Sequence, residues 1–250
     1  LRLDLYNEGR FEIDRIAVLE WHYGQIPQDN TFQWELKGDT SSWQVTADTR
    51  DLFAPPLRFE AAGKKWITVQ MKADQPGLAA ILWAGDQEAG LKTEEFEIRG
   101  DSRLHAYNLN LSGNPGWKGS ILALGFRPPE RGNIFLQSIA IGSEPSGPAE
   151  LEVTYFGFEN GVNRAGQTCT VMARLTNQGG QSAALPEMKL LLPPGVEIIN
   201  TPDKKEKPLA CGEYTDLIWQ VKSQKPGRFP LTLQSTGPAA PEPAEVALAF

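Results

Sequence analysis

The sequence predicts an all-β chain folded as two consecutive sandwiches, and three observations carry that expectation. Gly and Pro are frequent, at 24 and 19 of 250 residues, while hydrophobic content is ordinary at 40%. No segment long enough for a stable helix keeps apolar positions at helical spacing without a Gly or Pro break. Short alternating runs punctuated by Gly, Pro, Asn and Asp fill the sequence instead, which is the pattern of strands and turns.

The first element is a hairpin. Residues 1–18 read LRLDLYNEGRFEIDRIAV and residues 122–141 read LALGFRPPERGNIFLQSIAI, each an alternating strand, a polar turn with Gly and a second alternating strand. Leu1 aligns with Leu122 and Ile16 with Ile139, spacings of 121 and 123 residues, the size of one domain. Residues 1–22 are therefore expected to be a terminal hairpin, the end of a preceding module in a longer modular protein. The plainer account is one sandwich whose first and last strands resemble each other. A weak boundary at 23–30 (YGQIPQDN) leads into the next unit.

Within 31–143, strands are predicted near 32–36, 43–46, 57–59, 66–72, 78–83, 94–99, 105–111, 122–126 and 134–141. Alternation assigns faces. Ile67, Val69 and Met71 oppose Trp66, Thr68, Gln70 and Lys72; Phe96 and Ile98 face inward against Glu95, Glu97 and Arg99; Tyr107, Leu109 and Leu111 oppose Ala106, Asn108 and Asn110. Strands with one apolar and one polar face suit a jelly-roll sandwich with an open sheet face. EPSGP at 144–148 is the clearest boundary. Beyond it, 149–250 is expected to hold seven strands, near 150–158, 168–177, 187–192, 196–199, 214–221, 229–234 and 245–250. Cys169, Val171, Ala173 and Leu175 share one face, as do Leu217, Trp219 and Val221, which puts Trp219 in a core. Seven short strands at this spacing argue for an immunoglobulin-like sandwich.

Charge excludes several functions. The net charge is −7, and the densest basic cluster, Lys204-Lys205-Glu206-Lys207, is diluted by acid. Nucleic-acid binding needs a basic stripe to neutralise phosphates, and an anionic membrane surface asks for the same, so neutral ligands are expected. No run approaches the roughly 18 apolar residues that span a bilayer, and no secretory leader is visible. The two cysteines, Cys169 and Cys211, are compatible with a bridge or with two thiols. Asn110-Leu111-Ser112 is one glycosylation sequon.

Two resemblances emerge from these residues. Trp34-Glu35-Leu36, Ser42-Trp43, Trp66-Ile67-Thr68-Val69, Ala80-Ile81-Leu82-Trp83, Glu94–Ile98, Leu104–Leu109 and Asn114–Ile121, with the closing strand at 134–141, resemble the galactose-binding-like jelly-roll modules of large secreted or surface bacterial carbohydrate-active proteins. Leu1–Asp4 and Phe11–Ile16 match the end of such a module as well, although Gly125 and Gln137 stand in the second copy where the first has Asp4 and Asp14. Leu175–Gly180, Leu192–Val196, Trp219-Gln220-Val221 and Lys225-Pro226-Gly227 are similar to bacterial adhesion-type or enzyme-associated immunoglobulin-like modules, which serve mostly as spacers or supports. A structural calcium ion is common in jelly rolls of the first kind, but no Asp cluster here has the spacing for one.

No catalytic set is visible. The two histidines, His22 and His105, sit in no metal-ligand spacing, and His105 is expected to pack. Gly85–Thr93 (GDQEAGLKT) only approaches a phosphate loop and reads as a strand connection. Paired carboxylates are the remaining catalytic option: Glu95 and Glu97 on one strand face, with Asp86 and Glu88 on the preceding loop. Such pairs are usually solvated strand positions. Sugar binding asks for less, an aromatic ring to stack on C–H faces with amides and carboxylates nearby. Trp34, Trp43, Trp117 and Trp219 read as core or corner residues. Trp66 and Trp83 are the candidate platforms, with Gln70, Glu95, Glu97, Asn108 and Arg127 as polar contacts; the plainer account is that both rings pack.

The expected function is that of non-catalytic accessory modules in a larger extracellular bacterial carbohydrate-active protein, secreted, periplasmic or on the cell surface. The jelly roll would bind or position glycan and the second unit act as a spacer, with glycan or neighbouring domains as partners and no cofactor, metal, nucleic acid or membrane insertion. The alternative is a structural or adhesin-like surface protein with protein partners and no sugar site.

Overall fold

The computed structural model describes residues 51–54, 57–159, 163–202, 207–237 and 241–250, and the backbone of 32–35 and 42–45. The expected hairpin at 1–22 and the side chains of Trp34 and Trp43 lie outside the described residues. In chain order the first strands are β1 (Phe32–Glu35), β2 (Ser42–Val45), β3 (Leu52–Phe53), β4 (Phe59–Glu60) and β5 (Trp66–Ala73). Then come β6 (Gly77–Gly85), β7 (Lys92–Ile98), β8 (His105–Asn110), β9 (Ser120–Arg127) and β10 (Gly132–Gly142). Past a linker follow β11 (Leu151–Phe158), β12 (Thr168–Asn177), β13 (Glu187–Leu191) and β14 (Val196–Asn200). The last three are β15 (Tyr214–Ser223), β16 (Arg228–Thr236) and β17 (Ala244–Ala249). The chain is all-β, and every strand pairing is antiparallel. β3 has no counterpart among the predicted strands, because two residues are too short to show a period.

Two five-stranded sheets build the first unit. In one, β1 and β2 lie end to end along β10, followed by β5 and β8; in the other, β3 and β4 lie end to end along β9, followed by β6 and β7. Alternation decides what lies between them. Ile67, Val69 and Met71 are fully buried in one core with Ile81, Trp83, Leu124, Phe126 and Ile139. Trp83 and Trp117 meet edge to face at 5.4 Å, and each indole N–H has an acceptor, Trp83 donating to the Gly116 carbonyl and Trp117 to that of Lys64. The edge strands β7 and β8, one from each sheet, are joined by residues 99–104, so both lie along one flank. Tyr107 on β8 touches Phe96 on β7 with ring centroids 5.4 Å apart.

The second unit sets β11-β12-β15-β14 beside β13-β16-β17. Val171, Trp219, Val221, Leu231 and Leu233 fill its core. Residues 143–150 connect the units. Asn177, fully buried, holds that linker: its Oδ1 accepts from the Glu150 and Gly179 amides and its Nδ2 donates to the Gln181 and Leu209 carbonyls.

Candidate functional site

The seven residues proposed from sequence divide among three places. Trp66, Gln70 and Asn108 stand on the outer face of the β10-β5-β8 sheet, because Ile67, Val69 and Met71 take the inner one. Glu95, Glu97 and Arg127 belong to the opposite sheet, where Ala80 pairs with both Glu95 and Arg127. Trp83 lies between the sheets with 0% of its surface accessible. A ring without an accessible face cannot stack on a sugar, so Trp83 is a core residue and not a platform. β6 continues past it to Gly85. Arg127 is held bidentately by Asp51, with Nε and Nη2 each 2.9 Å from a carboxylate oxygen; this bond, before any other cause, raises its pKa. Asn108 is engaged as well: its Oδ1 accepts from Thr68 Oγ1 at 2.7 Å and from the Ser146 amide at 3.1 Å. It therefore fastens the linker to the sheet.

Three of the seven, Trp66, Glu97 and Asn108, nevertheless line one cleft of about 740 Å3 along the open flank, where β7 and β8 face the second unit. The second unit contributes Glu150 and Glu152 from the start of β11, Gln178 after β12, and Cys211–Glu213. A dense ionic cluster forms the floor between the units. Arg99 Nη1 lies 2.5 Å from Glu150 Oε1 and Nη2 2.7 Å from Glu152 Oε2. Buried His105 places Nδ1 at 2.7 Å from Glu150 Oε1 and Nε2 at 2.9 Å from Asp101. Each ring nitrogen of His105 thus faces a carboxylate, one from each unit. Burial pushes the Asp101 carboxyl upward, but the Arg103 amide and the His105 ring outweigh it and hold the group below its usual range. Arg103 also pairs with Glu242 of the second unit. The Tyr107 hydroxyl accepts from the Arg99 amide, and burial raises its pKa.

His105 does pack, as expected, yet its packing partners are ions. None of Arg99, Asp101, Glu150, Glu152 and Gln178 is among the site residues expected from the sequence. The available signal was thin: His105 follows Asp101 by four residues, and Glu150 and Glu152 share strand parity just past the EPSGP boundary.

The remaining carboxylates are built into turns. Asp86 accepts from the Ser120 amide, and this bond chiefly lowers its pKa. Glu88 bonds Lys118 and Lys92, which brings its pKa down to about 2. A glycosidase general acid needs the opposite shift. The segment likened to a phosphate loop joins β6 to β7 as a hairpin connection. Both cysteines are free thiols: Cys169 is in the second core, and Cys211 is at the cleft, where burial raises its pKa. Among the described residues no group of three or more His, Cys, Asp or Glu is arranged to hold a metal ion. No helix among them is long and apolar enough to cross a membrane.

No protein-family model and no curated protein matches the chain. Among solved structures, the glycoside hydrolase domain of Endo-D from Streptococcus pneumoniae R6 is similar with a TM-score of 0.33 and 15% identity, over 83% of this chain and 32% of that one. The chain thus spans about a third of the length of that structure.

Proposed function

We propose that the chain is a pair of non-catalytic β-sandwich modules, a jelly roll and an immunoglobulin-like unit, that bind or position glycan within a larger carbohydrate-active protein acting outside the cytoplasm. The observation that carries this reading is how the charged groups around the cleft are used. Arg99, His105, Glu150 and Glu152 are spent on one another across the junction of the two units. Groups locked in mutual ion pairs are poor proton shuttles, but they set the angle between two sandwiches well, and several bonds in one network hold it better than an isolated surface pair. The residue pattern that resembles carbohydrate-associated modules supports the same reading.

Arg99→Ala removes both inter-unit guanidinium bonds, so the maximum dimension and its spread in small-angle X-ray scattering should grow, with circular dichroism unchanged. A scattering profile identical to the parent's counts against the positioning role. Incubation with neutral oligosaccharides should give binding without shortened products; released product would overturn the non-catalytic reading.

A second reading, a surface protein with protein partners, draws on the outer face of the second unit. Tyr155, Tyr214, Ile218 and Ile199 are all exposed there, Ile218 opposite Met172 in the β12–β15 pairing.

A further inference from the structure

We propose that the cleft at the junction is itself the glycan site, composed by both units, and that it takes a short neutral oligosaccharide. The inference rests on the reading that this chain binds glycan and assigns where. The volume of about 740 Å3 falls among ligand clefts, which run roughly 300–1,000 Å3. The cleft holds what sugar recognition needs. Trp66, half-buried at the start of β5, offers an indole beside Asn110, its cross-strand neighbour on β8. Such a ring stacks on the C–H face of a pyranose while amides and carboxylates meet the hydroxyls. Glu97 on β7 and Gln178 after β12 supply those groups from two further sides. No hydrogen bond or ion pair to another described residue occupies the Glu97 carboxylate, so it is open to a ligand hydroxyl. Asn108 lines the same cleft but acts as a positioning residue, because its oxygen already holds Thr68 and the linker.

Charge narrows the ligand class. Glu97, Glu150, Glu152 and Glu213 all line the cleft. The guanidinium of Arg99 is engaged by two of these carboxylates, and Glu213 is bonded to Lys207 and to the Ala210 amide. A uronate or sialylated chain would meet surplus negative charge there, so an uncharged sugar is favoured. Because Gln178 and Glu213 come from the second unit and Trp66, Asn110 and Glu97 from the first, the site exists only while the ionic cluster holds the units together. Loosening the junction should weaken binding without touching the platform.

The test uses the full chain and titration calorimetry with chitohexaose, cellohexaose, mannohexaose and N-acetyllactosamine, and with polygalacturonate as the anionic comparison. At least one neutral sugar should bind. Trp66→Ala should weaken it about tenfold or more, Trp66→Phe should weaken it less, and Arg99→Ala should weaken it with the platform intact. Arg127→Ala, on the opposite sheet, should leave affinity unchanged. Amide hydrogen exchange on the unmodified chain, which needs no variant to fold, should show slower exchange at 105–110 and 211–213 when the sugar is added. Neutral sugar bound with protection elsewhere and Trp66→Ala silent would overturn the cleft while leaving glycan binding intact. Preference for polygalacturonate would overturn the charge argument and with it the inference. Binding of none of the four neutral sugars would remove the glycan reading and the cleft together.

Discussion

A side chain's chemistry here follows from which atoms reach it rather than from its type. Glu88 and Glu97 are both exposed carboxylates near the open flank, yet Glu88 bonds Lys118 at 2.6 Å and Lys92 at 3.0 Å while Glu97 has neither. The hydrogen bond from Lys118, then that from Lys92, lowers the Glu88 pKa from 4.5 to about 2. The folded value lies below the unfolded one, so ionised Glu88 stabilises the native state. That contribution is complete above about pH 4.5 and is lost as pH falls toward 2. The Glu88 side-chain carboxyl followed by NMR should therefore titrate near 2, and Lys118→Ala should move its midpoint back toward 4.5. A Glu88 midpoint that ignores the Lys118 change would show that the lysine is not the cause. Trp83 and Trp66 teach the same lesson. One finds its acceptor inside the core at the Gly116 carbonyl, and the other is left at a cleft.

At the scale of elements, the junction depends on backbone packing as well as ions. Gly180 and Gly179 lie directly against the linker: a Cβ on Gly180 would fall 2.1 Å from the Ser146 carbonyl oxygen, and one on Gly179 2.1 Å from that of Pro148. Backbone cannot yield as a flexible side chain does, so the glycines are demanded by approach rather than by a turn. Gly180→Ala should force the linker off β12, costing about 1–3 kcal/mol as overpacking does. The cleavage rate by a nonspecific protease at 143–148 should rise accordingly. Unchanged proteolysis and an unchanged melting temperature would show that the linker is not seated as described. Asn177 works with these glycines: its Oδ1 accepts from the Glu150 amide at the end of the linker, and its other three bonds hold the 179–181 turn and the Leu209 carbonyl.

For the whole molecule, the core of the first unit shares no residue with the two clusters of the second: the former draws its side chains from 52–141 and the latter from 149–250. The bonds between units are polar: the Arg99 and His105 cluster, the pair of Arg103 with Glu242, and the Ser146 amide on Thr68 and Asn108. Apolar burial sets the cooperativity of unfolding, while partly exposed ion pairs contribute little and are screened by salt. Calorimetry should accordingly resolve two transitions. Raising salt to about 1 M, where screening acts over about 3 Å, should widen the scattering envelope more than it shifts either transition. A single transition with equal calorimetric and van't Hoff enthalpies would mean that the junction couples the units more strongly than its polar contacts allow.

The sequence by itself determined the all-β class, the position of nearly every strand, and the inward faces of β5, β7, β8, β12 and β15. Strand periodicity is local: a side chain two residues on points the same way whatever the sheet does, so Ile67-Val69-Met71 and Leu217-Trp219-Val221 could be assigned before any pairing was known. Where both parities are apolar that information vanishes. In β6, Ala79, Ile81 and Trp83 join the core, while Ala80 and Leu82 are buried outside it. Parity therefore cannot place Trp83, and only the pairing of the sheets shows that its ring is closed off from solvent. Only the tertiary structure decided which polar residues meet. Glu95 and Arg127, expected beside Trp66, lie on the opposite sheet, whereas Arg99 and His105 reach Glu150 and Glu152 across 45 to 53 residues of chain. Those encounters depend on sheet pairing, on the docking of the linker against Gly179 and Gly180, and on the angle between two sandwiches. None of these leaves a periodic trace in the sequence.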